Sequence, residues 1–122
     1  MTESENAKRF DLEDRTLEFA RDVRCFLKSL PRGIANDEDG RQLVRPSGSV
    51  GANYIEANEA LSRKDFVMRI KICRKEAKES AFWLKLIALD RNSDVQSGQK
   101  ERLIQEATEL TKIFGAILRK SD

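Results

Sequence analysis

The segment Arg45–Leu61, RPSGSVGANYIEANEAL, combines the composition of a loop with the spacing of a helix. Its proline, two glycines and two serines would ordinarily indicate a turn. The positions expected to face a core nevertheless recur at steps of four and three residues. They are Leu43, Ser47, Val50, Tyr54, Ala57 and Leu61. This spacing places them on one side of an α-helix.

Small residues in this helix indicate close packing. Each glycine within a helix costs about 1 kcal/mol of intrinsic propensity, which suggests that a neighbouring backbone approaches closely there. Gly48, Gly51 and Ala52 are therefore predicted to lie at helix-packing or interface positions. A phosphate-cradling loop is disfavoured, because the lysine–serine ending of a P-loop is missing and no strand precedes the glycines.

The same spacing predicts a helix before this segment. Residues 1–12 are expected to form a flexible polar leader, followed by a single domain over residues 13–122. Helix one is predicted from about Glu13 to Leu30. Pro31 should end it, since the residue before a proline is pushed out of the α region.

Helix two is predicted to open at Asn36, whose side chain can cap free backbone amides. It should extend to about Asn58. Pro46 lies within it and would clash with the preceding turn. A kink at Pro46, or a break into two shorter helices, is therefore expected.

Helix three shows the clearest start. Ser62 and Asp65 form a capping-box-like pair, and Leu61 and Phe66 occupy the positions of a hydrophobic staple. From Phe66 the alternation of four and three residues continues without interruption to about Leu89.

Helix four is predicted over Ser97–Arg119, after a polar loop from Asp90 to Gly98. Strict alternation typical of strands is absent from the sequence. Four helices with short connections predict an all-α fold, an antiparallel up-and-down four-helix bundle packed near +20°.

Composition agrees with one helical domain. The 122 residues include only two prolines and six glycines, and the formal charge is +2. No signal-peptide core or long apolar run occurs, so a cytoplasmic location is expected. Cys25 and Cys73 fall at apolar helical positions and are predicted to be buried free thiols. A disulfide is the alternative and would require an oxidising compartment.

Residues suited to catalysis are scarce. Histidine, the commonest general base and metal ligand, is missing from the chain. Glu56, Glu59, Glu76 and Glu79 could suggest a di-iron site, but that design also needs Glu-x-x-His pairs. Ion pairs with arginine or lysine are expected instead, including a partly buried pair at Glu56. We expect a protein without enzymatic activity, cofactor or metal.

Helix three carries an ordered set of lysines. Lys64, Lys71, Lys78 and Lys85 recur every seven residues, and Lys75 lies one turn beside them. A solvated helix face is the plain interpretation. Because acids are sparse there, the sequence also predicts a surface that binds the phosphates of a duplex or structured RNA. Stacking aromatics are not expected among these lysines, which disfavours recognition of single-stranded bases.

Two large aromatic residues, Phe82 and Trp83, lie on the shoulders of the helix-three seam. With the small residues of helix two, they predict a contact between subunits. Burial within the core of one chain is the alternative.

The run from Ser47 to Ile87 resembles bacterial four-helix-bundle proteins encoded in intervening sequences of 23S ribosomal RNA. The same superfamily includes the accessory variability determinant of diversity-generating retroelements. The most specific elements are S-x-G-A-N-x-x-E-A, Ser49–Ala57, and K-E-A-x-E-S-x-x-W, Lys75–Trp83.

The resemblance implies a homopentamer with a central pore and no enzymatic activity. Retroelement relatives bind nucleic acid and associate with a reverse transcriptase; for the ribosomal branch, which is favoured here, binding to ribosomal RNA is implied. A structural role is implied for the family-motif positions, which are Asn53, Glu56, Glu76, Glu79 and Trp83. Pro46 departs from the helix-compatible residue expected at its position.

Overall fold

Four α-helices make up the computed structural model, which describes residues 3–90 and 93–121, with side chains from residue 11 onward. They are α1 (Glu3–Lys28), α2 (Ile34–Asn58), α3 (Arg63–Leu86) and α4 (Asp94–Lys120), and these residues form no strand. Each helix packs on the next, and α4 packs on α1. The predicted all-α up-and-down bundle is confirmed.

The core consists of the periodic apolar positions of all four helices. Its largest side chains are at most 1% exposed: Phe19, Phe26, Leu43, Ile70, Leu84, Ile87, Leu110 and Phe114. The predicted seams are therefore largely correct. Leu61 is an exception, because it lies beyond the end of α2 and is 98% exposed.

Helices α1 and α2 both begin earlier than predicted. The backbone of α1 is helical from Glu3 rather than from about Glu13. α2 begins at Ile34 after Gly33, and no side chain caps it. Asn36 was predicted as that cap, which is wrong, because its amide instead bonds to Pro31 and Ala88.

α2 continues through Pro46, so the alternative of two shorter helices is wrong. Pro46, Ser47 and Val50 are all buried. A proline inside a helix costs about 3 kcal/mol, but burial of a continuous helix face against the bundle offsets such a cost.

The start of α3 follows one prediction and contradicts another. Ser62 caps it by accepting a hydrogen bond from the Asp65 N–H at 3.1 Å. The predicted staple between Leu61 and Phe66 is wrong, because Leu61 is exposed to solvent. α3 ends at Leu86 rather than near Leu89, since Ile87 adopts an extended conformation (φ −62°, ψ 126°).

The polar loop before α4 is shorter than predicted. α4 begins at Asp94 instead of Ser97, because Ser93 acts as its cap. The Ser93 hydroxyl accepts a hydrogen bond from the Gln96 N–H at 3.2 Å.

Gly51 is buried where α2 packs against α1. A Cβ at this position would lie 2.9 Å from Oγ1 of Thr16. Close approach at Gly51 was predicted, and the structure assigns it to packing within the chain. Gly48 is partly buried near Arg24, with 3.2 Å between a Cβ placed there and Nη2, while Ala52 is exposed.

The two cysteines differ in environment, and both are free. Cys73 is buried as predicted, and its Sγ donates to the carbonyl of Val50 at 3.4 Å. Cys25 is exposed, so the prediction that it lies in the core is wrong. It lies between the core positions Val23 and Phe26, on the side of α1 that borders α4. No helix within residues 3–90 and 93–121 combines the length and apolarity needed to cross a membrane.

Candidate nucleic-acid interface

The predicted lysines lie together on the outer side of α3. We call Lys64, Lys71, Lys75, Lys78 and Lys85 the lysine ridge, and all five are exposed. α3 turns its opposite side, including Ile70, Cys73, Ala77 and Leu84, into the core. At 1.5 Å per residue the ridge extends about 31 Å.

The ridge is poor in compensating negative charge. Within the described ranges, only Lys75 of the five lysines lies within ion-pair distance of a carboxylate, 4.0 Å from Glu76. The sequence of α3 contains eight lysines and arginines against three acids. Aligned charges of one sign raise the local concentration of an oppositely charged ligand.

A further lysine, on α4, contacts the end of α3. Nζ of Lys100, on α4, donates to the carbonyls of Lys85 at 3.3 Å and Ile87 at 2.7 Å. These carbonyls are at the negative end of the helix, where a cation is favoured. The sequence pattern did not indicate Lys100, because its position depends on how α4 packs against α3.

An aromatic side chain, Phe82, is interleaved with the lysines, although no aromatic residue was expected there, and two further apolar side chains lie nearby. Phe82 is 55% exposed and lies four residues after Lys78 and three before Lys85, hence on the same face. Met68 and Leu86 are about half exposed beside them. Phe82 also contacts Trp83 edge to face, with 5.1 Å between ring centroids. The outer side of α3 is thus basic and partly apolar.

Asn53 joins α2 to α3. Its Nδ2 donates to the backbone carbonyl and hydroxyl of Ser49, both at 2.9 Å. Its Oδ1 accepts a hydrogen bond from Nη1 of Arg69, also at 2.9 Å. This network agrees with the structural role implied by the family resemblance.

The glutamates of the family motif occupy different environments. The side chain of Glu76 is 16% exposed, and burial, followed by the nearby charge of Glu79, raises its pKa. Glu79 is exposed and accepts a hydrogen bond from Nε1 of Trp83, which is itself packed against the core. Glu56 is exposed, and no arginine of the described chain pairs with it, so the predicted partly buried pair is wrong.

Side chains that could hold a metal do not converge. Among the described residues, no group of three or more histidine, cysteine, aspartate or glutamate side chains has a suitable arrangement.

Comparisons with known proteins agree with the fold. A family model described as "23S rRNA-intervening sequence protein" matches residues 8–116. A crystal structure of a protein of unknown function from the S23 ribosomal protein family, from Bacteroides thetaiotaomicron, is 33% identical, with a TM-score of 0.73. The match covers 92% of this chain and 98% of that one. Among curated proteins, none matches this chain.

Proposed function

This chain belongs to the 23S rRNA-intervening sequence protein family, and we propose that it is a non-enzymatic protein that binds structured RNA through the lysine ridge. Ribosomal RNA is the proposed ligand. The observation that carries the proposal is the row of four exposed lysines at seven-residue spacing, each without a carboxylate partner within the described residues.

The chemistry of the ridge favours phosphate contacts over base recognition. Lysine ammonium groups neutralise phosphates regardless of sequence. Phe82 is an exposed ring among the ridge lysines, and it could stack on a single base. A double-stranded or folded RNA presents its phosphates along a rigid path, which suits a straight row of charges.

The salt dependence of binding provides a direct test. Affinity for a ribosomal RNA hairpin would be measured by fluorescence anisotropy at salt concentrations from about 50 to about 300 mM. Affinity that depends on phosphate contacts falls steeply over such a range. If all five ridge lysines contact phosphate, the slope of log K against log salt is about −3.5 to −4.5. A slope near zero would contradict the proposal.

Matched substitutions identify the surface. Lys71, Lys78 and Lys85 would be replaced by glutamine, which preserves helix propensity. We expect the slope to become less steep by about 2 to 3, because each lost phosphate contact removes about 0.7 to 0.9 from it. The control replaces Lys28, Lys112 and Lys120, exposed lysines on other helices. If the slope changed equally in the two variants, binding at the ridge would be contradicted.

We also propose that the chain self-associates, with a homopentamer as the assembly suggested by the family resemblance. The supporting observation is the exposed apolar area of Met68, Phe82 and Leu86 on one helix face, since such patches mark contact sites. Sedimentation velocity at micromolar concentration tests this. A single species at the 14.0 kDa mass of one chain would contradict it.

A protein-interaction scaffold is the second candidate, favoured by the same exposed apolar side chains. A reverse transcriptase is the proposed partner in that case. Binding of a purified reverse transcriptase that survives nuclease treatment would support it, whereas loss of binding with the RNA would support the first proposal.

A further inference from the structure

A groove opens between α1 and α4, the two neighbouring helices that contact each other least extensively. Its volume is about 640 Å³, and the nearly buried side chains of Phe19, Phe26 and Leu103 lie beneath it. Arg15 crosses it and pairs with Glu106 through two hydrogen bonds of 2.7 Å. The hydrogen bond to Glu106 raises the pKa of the Arg15 guanidinium, so this residue stays positively charged and engaged.

The rim of this acidic groove is negatively charged. Asp11, Asp14, Glu18 and Asp22 follow one another along α1 at steps of three and four residues, on one side of the helix. Including Glu106, five carboxylates line the groove against the two arginines Arg15 and Arg102, a net charge of −3 (five minus two). Arg15 is already paired with Glu106, and Glu18 lies 3.3 Å from Arg21. Asp11, Asp14 and Asp22 have no ion-pair partner among the described residues, so their charge is available to a cationic ligand.

The outer side of α3 is complementary in charge to this groove. This side carries the ridge lysines, whereas the rim of the groove carries carboxylates. The α3 face also exposes Met68, Phe82 and Leu86, each about half accessible to solvent. A phosphate backbone offers no partner for Met68 and Leu86. The acidic rim of the groove offers partners to the lysines, and a second protein surface can cover apolar side chains that RNA phosphates leave exposed.

The contact must be intermolecular. α1 packs on α2 and α4, and α3 packs on α2 and α4, whereas among the described residues the backbones of α1 and α3 do not come close to each other. They therefore lie diagonally across the bundle, and the lysine ridge of a chain cannot reach its own acidic groove.

We infer that the α3 face of one copy docks into the acidic groove of a second copy. This inference rests on the self-association proposed above and assigns the two surfaces that make the contact. Because the surfaces differ, the contact is head-to-tail and repeats from copy to copy, as rings and filaments require. RNA and the acidic groove would compete for the same lysines, so RNA binding would open this contact.

A charge-swap experiment in the full chain tests the inference. One variant reverses the groove through Asp14→Lys, Glu18→Lys and Asp22→Lys, and the other reverses the ridge through Lys71→Glu, Lys78→Glu and Lys85→Glu. Sedimentation velocity of each variant alone should show association weakened by roughly tenfold or more, since three ion pairs are lost. An equimolar mixture should associate again, because each reversed surface finds its complement.

Controls separate charge placement from net charge. The triple variant Glu59→Lys, Asp90→Lys and Glu101→Lys reverses exposed acids outside the groove and should associate like the parent. The parent assembly should also dissociate as salt rises, since exposed charges are screened. Circular dichroism confirms folding. If the reversed groove unfolds the chain, the neutral set Asp14→Asn, Glu18→Gln and Asp22→Asn should weaken association in the same direction.

The outcomes distinguish the proposals. A monomer at all salt concentrations would overturn self-association and this inference together. An oligomer that persists in the groove-reversed variant, or a mixture that fails to restore association, would overturn only the assignment of surfaces. The groove-reversed variant should still bind the RNA hairpin, because its lysine ridge is intact. If the parent protein does not bind the hairpin, the RNA proposal is overturned, but the assignment of docking surfaces is not.

Discussion

Asn36 on α2 and Ala88 beyond the end of α3 exchange two hydrogen bonds. Nδ2 of Asn36 donates to the Ala88 carbonyl at 2.9 Å, and Oδ1 accepts from the Ala88 N–H at 3.1 Å. The same Nδ2 donates to the carbonyl of Pro31 at 3.2 Å. Ala88 follows the extended residue Ile87, so its backbone groups need partners outside the helix. One side chain thus joins the beginning of α2, the connection before it and the end of α3.

Replacing Asn36 with alanine should destabilise the bundle by about 0.5–1.5 kcal/mol, the net contribution of a typical hydrogen bond, because water can reach the exposed backbone groups of Ala88. Asn36→Asp keeps the acceptor and loses the donor, so an intermediate loss is expected. Urea denaturation followed by circular dichroism measures both.

Gln42→Ala is the control for Asn36. Gln42 is exposed, and its amide bonds to the nearby side chain of Glu38 on the same helix. Its removal should change stability by no more than about 0.5 kcal/mol. Equal effects at Gln42 and Asn36 would show that the contact with Ala88 contributes nothing.

The structural role of Asn36 was beyond sequence reasoning because its partner is 52 residues away. Helical seams such as Phe19, Val23 and Phe26 were predictable, since helix periodicity depends only on local spacing. Continuity at Pro46 was not, because the packing that offsets the proline comes from other parts of the chain. Leu61 continued the spacing of α2 and was assigned to the core, but the helix had already ended.

The candidate site was predictable to a similar degree. The seven-residue spacing of the ridge lysines indicates one exposed face, and the structure shows them there. Lys100 and the acidic groove depend on the relative positions of separate helices. Pair contacts of that kind leave no periodic pattern in the sequence.

Gly51 should be intolerant of any side chain. A Cβ would lie 2.9 Å from Oγ1 and 3.2 Å from Cβ of Thr16, and Thr16 is held by hydrogen bonds to Leu12 and Glu13. Overpacking of this kind costs about 1–3 kcal/mol. We therefore expect Gly51→Ala to lower the free energy of unfolding, despite the better helix propensity of alanine.

Gly98→Ala provides the matched control for Gly51. A Cβ at Gly98 meets only the end of Arg102, at an ordinary 3.6 Å. This substitution should stabilise the protein by up to about 1 kcal/mol. The double variant Thr16→Ala, Gly51→Ala should recover part of the loss, because the closest atom is removed. Absence of recovery would place the strain elsewhere.

The two cysteines should differ sharply in reactivity. Cys25 is exposed, whereas Cys73 is buried, and burial raises the pKa of the Cys73 thiol to about 12. The thiolate is the reactive form. A thiol reagent at pH 8 should therefore modify one cysteine in the native protein and both in urea, with Cys25→Ser abolishing the native reaction. Rapid native modification of Cys73 would contradict the burial.

Burial of Cys73 also predicts how stability changes at high pH. The folded pKa of about 12 exceeds the ordinary value of 9.0, so the unfolded chain loses its proton first. Stability should therefore fall as pH rises from 9.0 towards 12. Cys73→Ala is less stable because of the cavity it leaves, about 1 kcal/mol or more, but its stability should decline less over that interval. Parallel declines would show that the thiol does not cause the change.

Glu76 should weaken the folded state at neutral pH. Burial and the charge of Glu79 raise its pKa above the ordinary 4.5, so the folded chain retains a proton that the unfolded chain releases. Stability therefore decreases as pH rises from 4.5 through the raised pKa. Glu76→Gln removes the charge and should unfold at higher urea concentration than the parent at pH 7.5. Below pH 4.5 the two proteins should converge, since Glu76 is then protonated in both states.

Glu101→Gln, at an exposed position on α4, should match the parent throughout. If Glu76→Gln were less stable at pH 7.5, the charged carboxylate would have to make a favourable contact that outweighs its burial.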